Sequence, residues 1–439
     1  MSGMNRTVKK ESRPAALLTS ARACTALTLL LSMVYFASYI SRLNYAAVIA
    51  QIVESEGILK SDAALATTAS FITYGLGQLV SGWLGDRISP KRLIVFGLLL
   101  TAGMNLLLPG CGSVPAMVAV WGVNGFAQSM LWPPIVRLMA VYFDRTWYDR
   151  GCFYTLMGSS GANILLYLIA PSIIRSWSWR GVFYIAAVLA VAVCGIWIAG
   201  MGRFEAAHGA VRSSGRRART AMNHAAGDTA AAARGISVGH MILAEGLFFV
   251  LAGIVMQGIL KDGVTTWLPS YLVEVFGLDT GSSILSSVIL PVFSILSFKL
   301  CGWLNRKTLD NEILFSVVLF GIGSVCALAL AALFTASAVV SVVLVAVLVG
   351  SMHGVNLMLI CNLPSRFART GKVSLISGVL NACTYVGSAI SAYGFALVAQ
   401  TFGWRVTVVC WAGIAALGLV LCLIGGKKTK RLLASLEQE

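Results

Sequence analysis

The chain has 439 residues, 58% of them hydrophobic and only 11% charged, with a mean hydropathy of +0.83. A soluble domain carries roughly 25% charged residues, so this composition excludes a water-soluble fold. The formal net charge of +16 would suit a nucleic-acid partner, but the positions of the basic residues assign it to membrane topology.

Twelve apolar runs, each near the 20 or so residues that a helix needs to cross a bilayer, follow one another along the chain. They cover 23–52, 62–85, 92–109, 114–141, 151–174, 181–201, 239–272, 281–304, 312–334, 336–361, 373–401 and 404–425, numbered spans 1 to 12. Helices are expected because lipid offers the backbone no other partner; a β-barrel would show alternating segments of about 10 residues instead. Span 1 is far longer than the h-region of a signal peptide, roughly 7 to 15 residues, and is expected to remain in the membrane.

Twenty-seven of the 33 Lys and Arg residues lie in the N-terminal segment, the even-numbered loops and the C-terminal segment. The odd-numbered loops hold only Lys60, Arg175, Arg180 and Arg405. By the positive-inside rule both termini are expected in the cytoplasm, with the chain multi-pass in a cytoplasmic (inner) membrane. The ten cysteines form no CxxC pair and no Cys/His cluster, so neither a disulfide framework nor a metal site or other cofactor is expected.

The longest polar interruption, 202–238, is rich in Arg, Ala, Gly and Ser and reads as a linker. It divides the chain into a tail at 1–22, a first bundle at 23–201, a second bundle at 239–425 and a tail at 426–439. The bundles share ordered matches. Gly82-Trp83-Leu84 returns as Gly302-Trp303-Leu304, Gly125 and Arg137 return as Gly354 and Arg366, and Trp179-Arg180 returns as Trp404-Arg405, at offsets of 220, 229 and 225 residues. The expected fold class is therefore an all-α membrane protein of twelve helices in two pseudo-symmetric six-helix bundles. In transporters built this way the substrate site lies near the midplane between the repeats.

Two cations remain after the loops and termini are sorted, Arg42 in span 1 and Lys261 in span 7, related by an offset of 219 residues. A charge at the centre of a membrane helix costs about 2.5 to 3.5 kcal/mol on insertion scales, so such residues face a partner or an aqueous cavity and mark function. Glu245 precedes Lys261 by 16 residues, roughly 24 Å along a helix, too far to neutralise it. Asp262 is adjacent, and neighbours at i, i+1 do not face each other on an α-helix, which leaves pairing with Arg42 across the interface as the structural alternative to anion binding. Tyr35, Ser38 and Tyr39 share the helical face of Arg42, and Gln257 and Thr265 that of Lys261. Hydroxyl and amide donors beside two cations suit a small anionic substrate. Unoccupied, the like charges of Arg42 and Lys261 are expected to repel; an anion between them would draw the halves together.

Gly82-Trp83-Leu84-Gly85-Asp86-Arg87, followed by Lys91-Arg92, resembles the loop between helices 2 and 3 of the Major Facilitator Superfamily. The segments GDRISPKR, NGFAQSMLWPPIVR at 124–137, RLNY at 42–45 and KDGVTTWLPSYL at 261–272 resemble its organophosphate:phosphate antiporter family, the glycerol-3-phosphate and hexose-phosphate transporters. The resemblance implies a monomeric carrier that exchanges sugar or glycerol phosphates for phosphate by alternating access. It implies that Arg42 binds substrate and that Lys261 stands where relatives carry a second arginine, keeping the charge without the planar fork. Gln78 and Gly161 stand where relatives tend to have a lysine and a histidine. The site is less basic than the family pattern, which leaves a carboxylate such as a sugar acid as a second substrate class.

Asp86, Arg87 and Arg137 lie at the cytoplasmic ends of spans 2 and 4 and are gating candidates. The resemblance implies that an Asp86–Arg137 salt bridge holds the outward-facing state. Trp132, Pro133 and Pro134 predict a kink in span 4. Asn381 and Tyr385, four apart in span 11, are candidate cavity residues, with helix packing as the alternative; His353 and Asn356 in span 10 are open in the same way. Asp262 is the candidate for proton coupling, because a carboxylate beside a lysine can switch the charge of the pair, although simple exchange requires no relay. A substrate-sensing receptor of the same fold is the alternative function. An enzyme would need a nucleophile, base or metal constellation, and none is discernible. Asp86→Asn is expected to slow exchange in proteoliposomes while leaving substrate binding intact; unchanged exchange rates would refute the gating role.

Overall fold

The computed structural model describes residues 17–85, 88–210, 247–309, 311–363 and 373–438. The first half comprises α1 (Ala21–Glu56), α2 (Lys60–Gly85), α3 (Pro90–Leu107), α4 (Val114–Ser129), α5 (Trp132–Tyr142), α6 (Arg145–Trp177) and α7 (Trp179–His208). The second comprises α8 (Leu247–Gly258), α9 (Val264–Phe276), α10 (Thr280–Ser286), α11 (Ile289–Thr308), α12 (Glu312–Ala332), α13 (Ala338–Asn356) and α14 (Val373–Gln438). Two single π-helical segments interrupt the second half: Ile259–Gly263 joins α8 to α9, and Leu357–Asn362 extends α13.

Nine helical stretches among the described residues are long and apolar enough to cross a membrane, from Ala21–Glu56 to Val379–Lys428. Two expected spans, 62–85 and 114–141, are helical but fall outside that set. The first is diluted by Ser, Thr, Gly and Gln. The second is divided into helices of 16 and 11 residues. The division has a local cause: Pro133 and Pro134 have no N–H to offer an incoming helix. Met130 N and Leu131 N instead bond three residues back, to Ala127 O and Gln128 O, closing a tight turn ahead of the proline pair. The expected kink in span 4 is thus a full break.

Spans 11 and 12 are assigned to the one helix α14, whose non-helical point is Gly403 (φ 81°, ψ 170°). The same backbone turn stands before α7, where Ser178 has φ 91° and ψ 172°. Trp-Arg follows the turn in both places. The sequence match Trp179-Arg180 with Trp404-Arg405 therefore marks a repeated corner, one built on glycine and the other on a strained serine, at a cost of about 1–3 kcal/mol.

Helix pairing repeats between the halves as well. α1 packs on α6 and α7, and α8 with its π segment packs on both arms of α14; α2 lies on α4, and α11 on α13. Small residues permit these approaches, as membrane interfaces require. A Cβ on Gly258 would stand 2.2 Å from Thr384 O, and one on Gly387 2.2 Å from Val255 O, so the two backbones are in direct apposition. Gly125 presses on Ser70 of α2, and its sequence counterpart Gly354 on Cys301 of α11. The halves meet along α2 with α14 and along α6 with α10 and α11. Leu29, Val188, Val325 and Phe402 point outward, exposed, as lipid-facing side chains do.

Gly387→Val is expected to lower the melting temperature in detergent, with overpacking costing about 1–3 kcal/mol. Ser178→Gly is expected to hold or raise it by releasing strain. Thermal unfolding followed by tryptophan fluorescence checks both; an unchanged melting temperature for Gly387→Val would contradict the close packing.

Candidate functional site

Arg42 lies on α1, half-buried and surrounded by rings from both halves of the protein. Its Cζ is 4.2 Å from the ring centroid of Tyr74, 5.8 Å from that of Tyr39 and 6.0 Å from that of Phe71, all in the first half. The fourth ring is Tyr385, on α14, at 5.4 Å. Tyr74 and Tyr385 are themselves 4.6 Å apart, centroid to centroid. A guanidinium over aromatic faces gains about 0.5 to 2 kcal/mol per ring, most when desolvated, so the cage holds the charge and at the same time joins the halves. Behind it, Tyr35 stacks on Trp132 at 4.9 Å, and its hydroxyl meets that of Tyr39 at 3.3 Å.

Lys261 and Asp262 lie in the π segment Ile259–Gly263. Lys261 Nζ stands 3.3 Å from Asp262 Oδ1, and the other carboxylate oxygen, Oδ2, accepts from the Ser388 hydroxyl on α14. This corrects the expectation that adjacent residues could not pair and that Asp262 was left for Arg42. The wider π turn sets successive side chains closer in angle than an α-helix does. Thr265 and Thr266 donate back to the carbonyls of Lys261 and Asp262, at 2.6 and 2.8 Å, and so satisfy the backbone of the irregular turn. The simple picture of two bare, mutually repelling cations is corrected with it: the Lys261 charge has a counter-ion on the same turn.

The remaining candidates divide. Tyr39 and Tyr385 belong to the cage, and Tyr35 stands behind it against Tyr39 and Trp132. Gln257 does not face an opening: it is fully buried, its Nε2 donating to Met352 O at 3.2 Å and its Oε1 accepting from Thr384 at 3.5 Å, so it packs α8 against its neighbours. Thr265 is committed to its own helix, and Ser38 donates to Gln128 at 2.5 Å. Gln78 follows Phe71 and Tyr74 on one face of α2, half-buried, with an Nε2 that has no hydrogen-bond partner among the described residues. Asn381 sits half-buried one turn before Tyr385. A Cβ on Gly161 would meet nothing within 4 Å, so α6 presents open space at that position. Arg137 is half-buried at the middle of α5; Asp86 and Arg87 lie outside the described residues.

Three features were not anticipated from sequence. Phe71 and Tyr74 complete the cage; their spacing with Gln78 along α2 was the available signal. Ser388 holds Asp262. The third is a latch between the halves at one end of the bundle. There Lys60 pairs with Glu274, whose Oε2 also accepts from Trp404 Nε1 at 2.9 Å, and the Lys60 ammonium lies 5.6 Å from the Trp404 ring. Ser61 N reaches Gln400 Oε1 at 3.4 Å and Thr68 donates to Ala389 O at 3.3 Å. Between latch and cage, Phe71, Ala389 and Ala392 form a small dry cluster with Tyr385 packed against it. The site is therefore sealed on the Lys60 side.

If the latch holds this closed end, Glu274→Gln and Lys60→Ala are each expected to speed amide exchange in 58–68 and 396–402 several-fold, read by mass spectrometry. Exchange unchanged from the parent protein would mean that the pair is ornamental to closure.

Residues 31–392 match the family model of the Major Facilitator Superfamily. The chain is 22% identical over 413 residues to the probable hexose phosphate transport protein of Chlamydia muridarum, covering 89% of this chain and 88% of that one. It is 25% identical over 310 residues to the glycerol-3-phosphate transporter of Bacillus subtilis, covering 66% of each. To the membrane sensor protein UhpC of Escherichia coli it is 23% identical over 401 residues, covering 88% and 89%. Its backbone superposes on a crystal structure of a mutant of the peptide transporter POT in complex with sulfate, with a TM-score of 0.70 at 16% identity over 93% of this chain and 95% of that one; at such identity the likeness shows the fold alone. Distant homologues thus include glycerol-3-phosphate and hexose-phosphate transporters. The chain is a multi-pass membrane protein that belongs to the Major Facilitator Superfamily, a family of transporters and not of enzymes.

Proposed function

We propose that this protein is a secondary transporter of a small phosphorylated organic anion, such as a sugar or glycerol phosphate, working by alternating access. Twelve spans form two bundles at 23–201 and 239–425, joined by the linker at 202–238, with both termini on the cytoplasmic side of an inner membrane. In this reading the latched end, with Lys60 and Glu274, faces outward and the site opens toward the cytoplasm. Arg42 and Lys261 hold the anionic group. Tyr35, Tyr39, Tyr385, Gln78 and Asn381 line the approach.

The observation that carries this reading is the cage: a permanent cation of the first half is held by a ring of the second, at 5.4 Å. A ligand that draws Arg42 out of contact with Tyr385 changes the contact between the halves directly. Binding and rearrangement are then coupled through one residue, as differential affinity for two states requires. The anion preference follows from the guanidinium fork, which matches phosphate and carboxylate oxygens two at a time. The phosphate preference is carried over from the named relatives. A sugar acid is the second reading, favoured by the missing lysine and histidine at Gln78 and Gly161 and by the counter-ion on Lys261.

Counterflow in proteoliposomes tests the proposal, with phosphate esters in one set and sugar acids in another. Exchange of esters is expected, reduced at least about a hundredfold in Arg42→Gln, the loss of a charge-assisted pair of hydrogen bonds worth about 3 kcal/mol. Exchange of carboxylates alone would move the substrate class. Saturable binding without exchange of either set would favour a sensor.

A further inference from the structure

We propose that Asp262 is a specificity-determining residue that sets the charge of the ligand, so that the site accepts a singly charged anion in preference to a doubly charged one. The inference deepens the reading above and rests on it. Three ionised groups converge here. Arg42 is a permanent cation whose cage contains no carboxylate among the described residues. Lys261 is half-buried beside it, within electrostatic reach of Arg42, Tyr39 and Tyr385. Asp262 cancels the Lys261 charge at 3.3 Å. One positive charge remains for a ligand to balance.

The carboxylate is built into its place rather than merely near. Its two oxygens are divided between Lys261 on its own turn and Ser388 on α14. The π segment that makes the pairing possible is wedged against α14, where a Cβ on Gly263 would stand 2.5 Å from Ser391 Cβ, so the turn has little room to rotate Asp262 away. Two further titratable groups face the pair among the described residues: His353 on α13, whose Nδ1 is directed at Val349 O, 3.0 Å away, and whose ring makes a T-shaped contact with Phe298, and the Cys361 thiol on the π segment Leu357–Asn362. A dianion in this site would leave one negative charge uncompensated in a low-dielectric surrounding, where it is poorly tolerated. A phosphate monoester loses its second proton near pH 6, so the form accepted is the protonated monoanion, a minor species at neutral pH that becomes dominant as the pH falls.

Two pairs of ligands of matched shape separate charge from chemistry: glycerol sulfate (one charge) against glycerol phosphate at about pH 8 (two charges), and glycerate against hydroxymalonate. Binding to the purified full-length protein is measured by calorimetry. The wild type is expected to prefer the singly charged member by at least about tenfold. Asp262→Asn, which adds one net positive charge, is expected to reverse that ratio. The double variant Lys261→Gln, Asp262→Asn restores the original net charge and is expected to restore the original preference, and Asp262→Glu to keep it. A wild type that favours the dianion, or a ratio unmoved by Asp262→Asn in a folded protein, overturns the proposal. If only the carboxylate pair binds, the phosphate reading fails while the glycerate-to-hydroxymalonate ratio still decides the charge rule. If none of the four binds, both are overturned.

Discussion

The constraint on which the rest of this structure depends is the placement of a guanidinium inside a membrane. Arg42 cannot shed its charge, and an isolated cation at that depth is costly. The chain meets the cost with ring faces, three from its own half and one from the other. Because the fourth ring comes from across the interface, electrostatic stabilisation of one residue also becomes adhesion between the halves. That dual role explains why the surrounding positions on α1, α2 and α14 are aromatic rather than acidic. A carboxylate would neutralise Arg42 and leave nothing for an anion to bind. Rings stabilise the cation while leaving its charge available.

Lys261 follows a different rule. A lysine is a compact, strongly hydrated point charge, less suited than arginine to stacking, and here it is matched to a carboxylate on the same turn. The two halves thus place a cation at matching positions of the repeat, 219 residues apart, but differ in local backbone and in chemistry. The device that breaks it is the π segment Ile259–Gly263, which has no counterpart around Arg42, where α1 is regular. Irregular backbone inside a membrane is tolerated where side chains satisfy its polar groups, and the hydroxyls of Thr265 and Thr266 do so.

The sealed end repeats the same economy of charge. Lys60 and Glu274 are brought from opposite halves to one point, and the Trp404 indole serves both, as ring face to the ammonium and as donor to the carboxylate. The dry cluster of Phe71, Ala389 and Ala392 lies between this latch and the cage. Closure at one end and caging of Arg42 therefore share α2 and α14, so motion of one helix pair alters both.

Much of this was legible in the sequence, because a membrane reduces the choices. Composition alone assigned the solvent, and the apolar runs assigned helices, since lipid leaves the backbone no alternative. The matched motifs pointed to the repeat, down to the corner at Ser178 and Gly403, and the rarity of charge inside the runs singled out Arg42 and Lys261. What sequence could not decide was direction in space. Helical spacing put Gln257 on the face of Lys261, but that face is buried against Met352 and Thr384; spacing also separated Asp262 from Lys261, because it presumed an α-helix where the packing of Gly263 against α14 accompanies a π turn. Ser388 and the Lys60–Glu274 pair became visible only when residues more than a hundred positions apart were brought together, and Tyr74 only when α2 was packed beside α1. Local chemistry and the demands of lipid fix which residues are unusual; only the packing of one half on the other determines which partners those residues find.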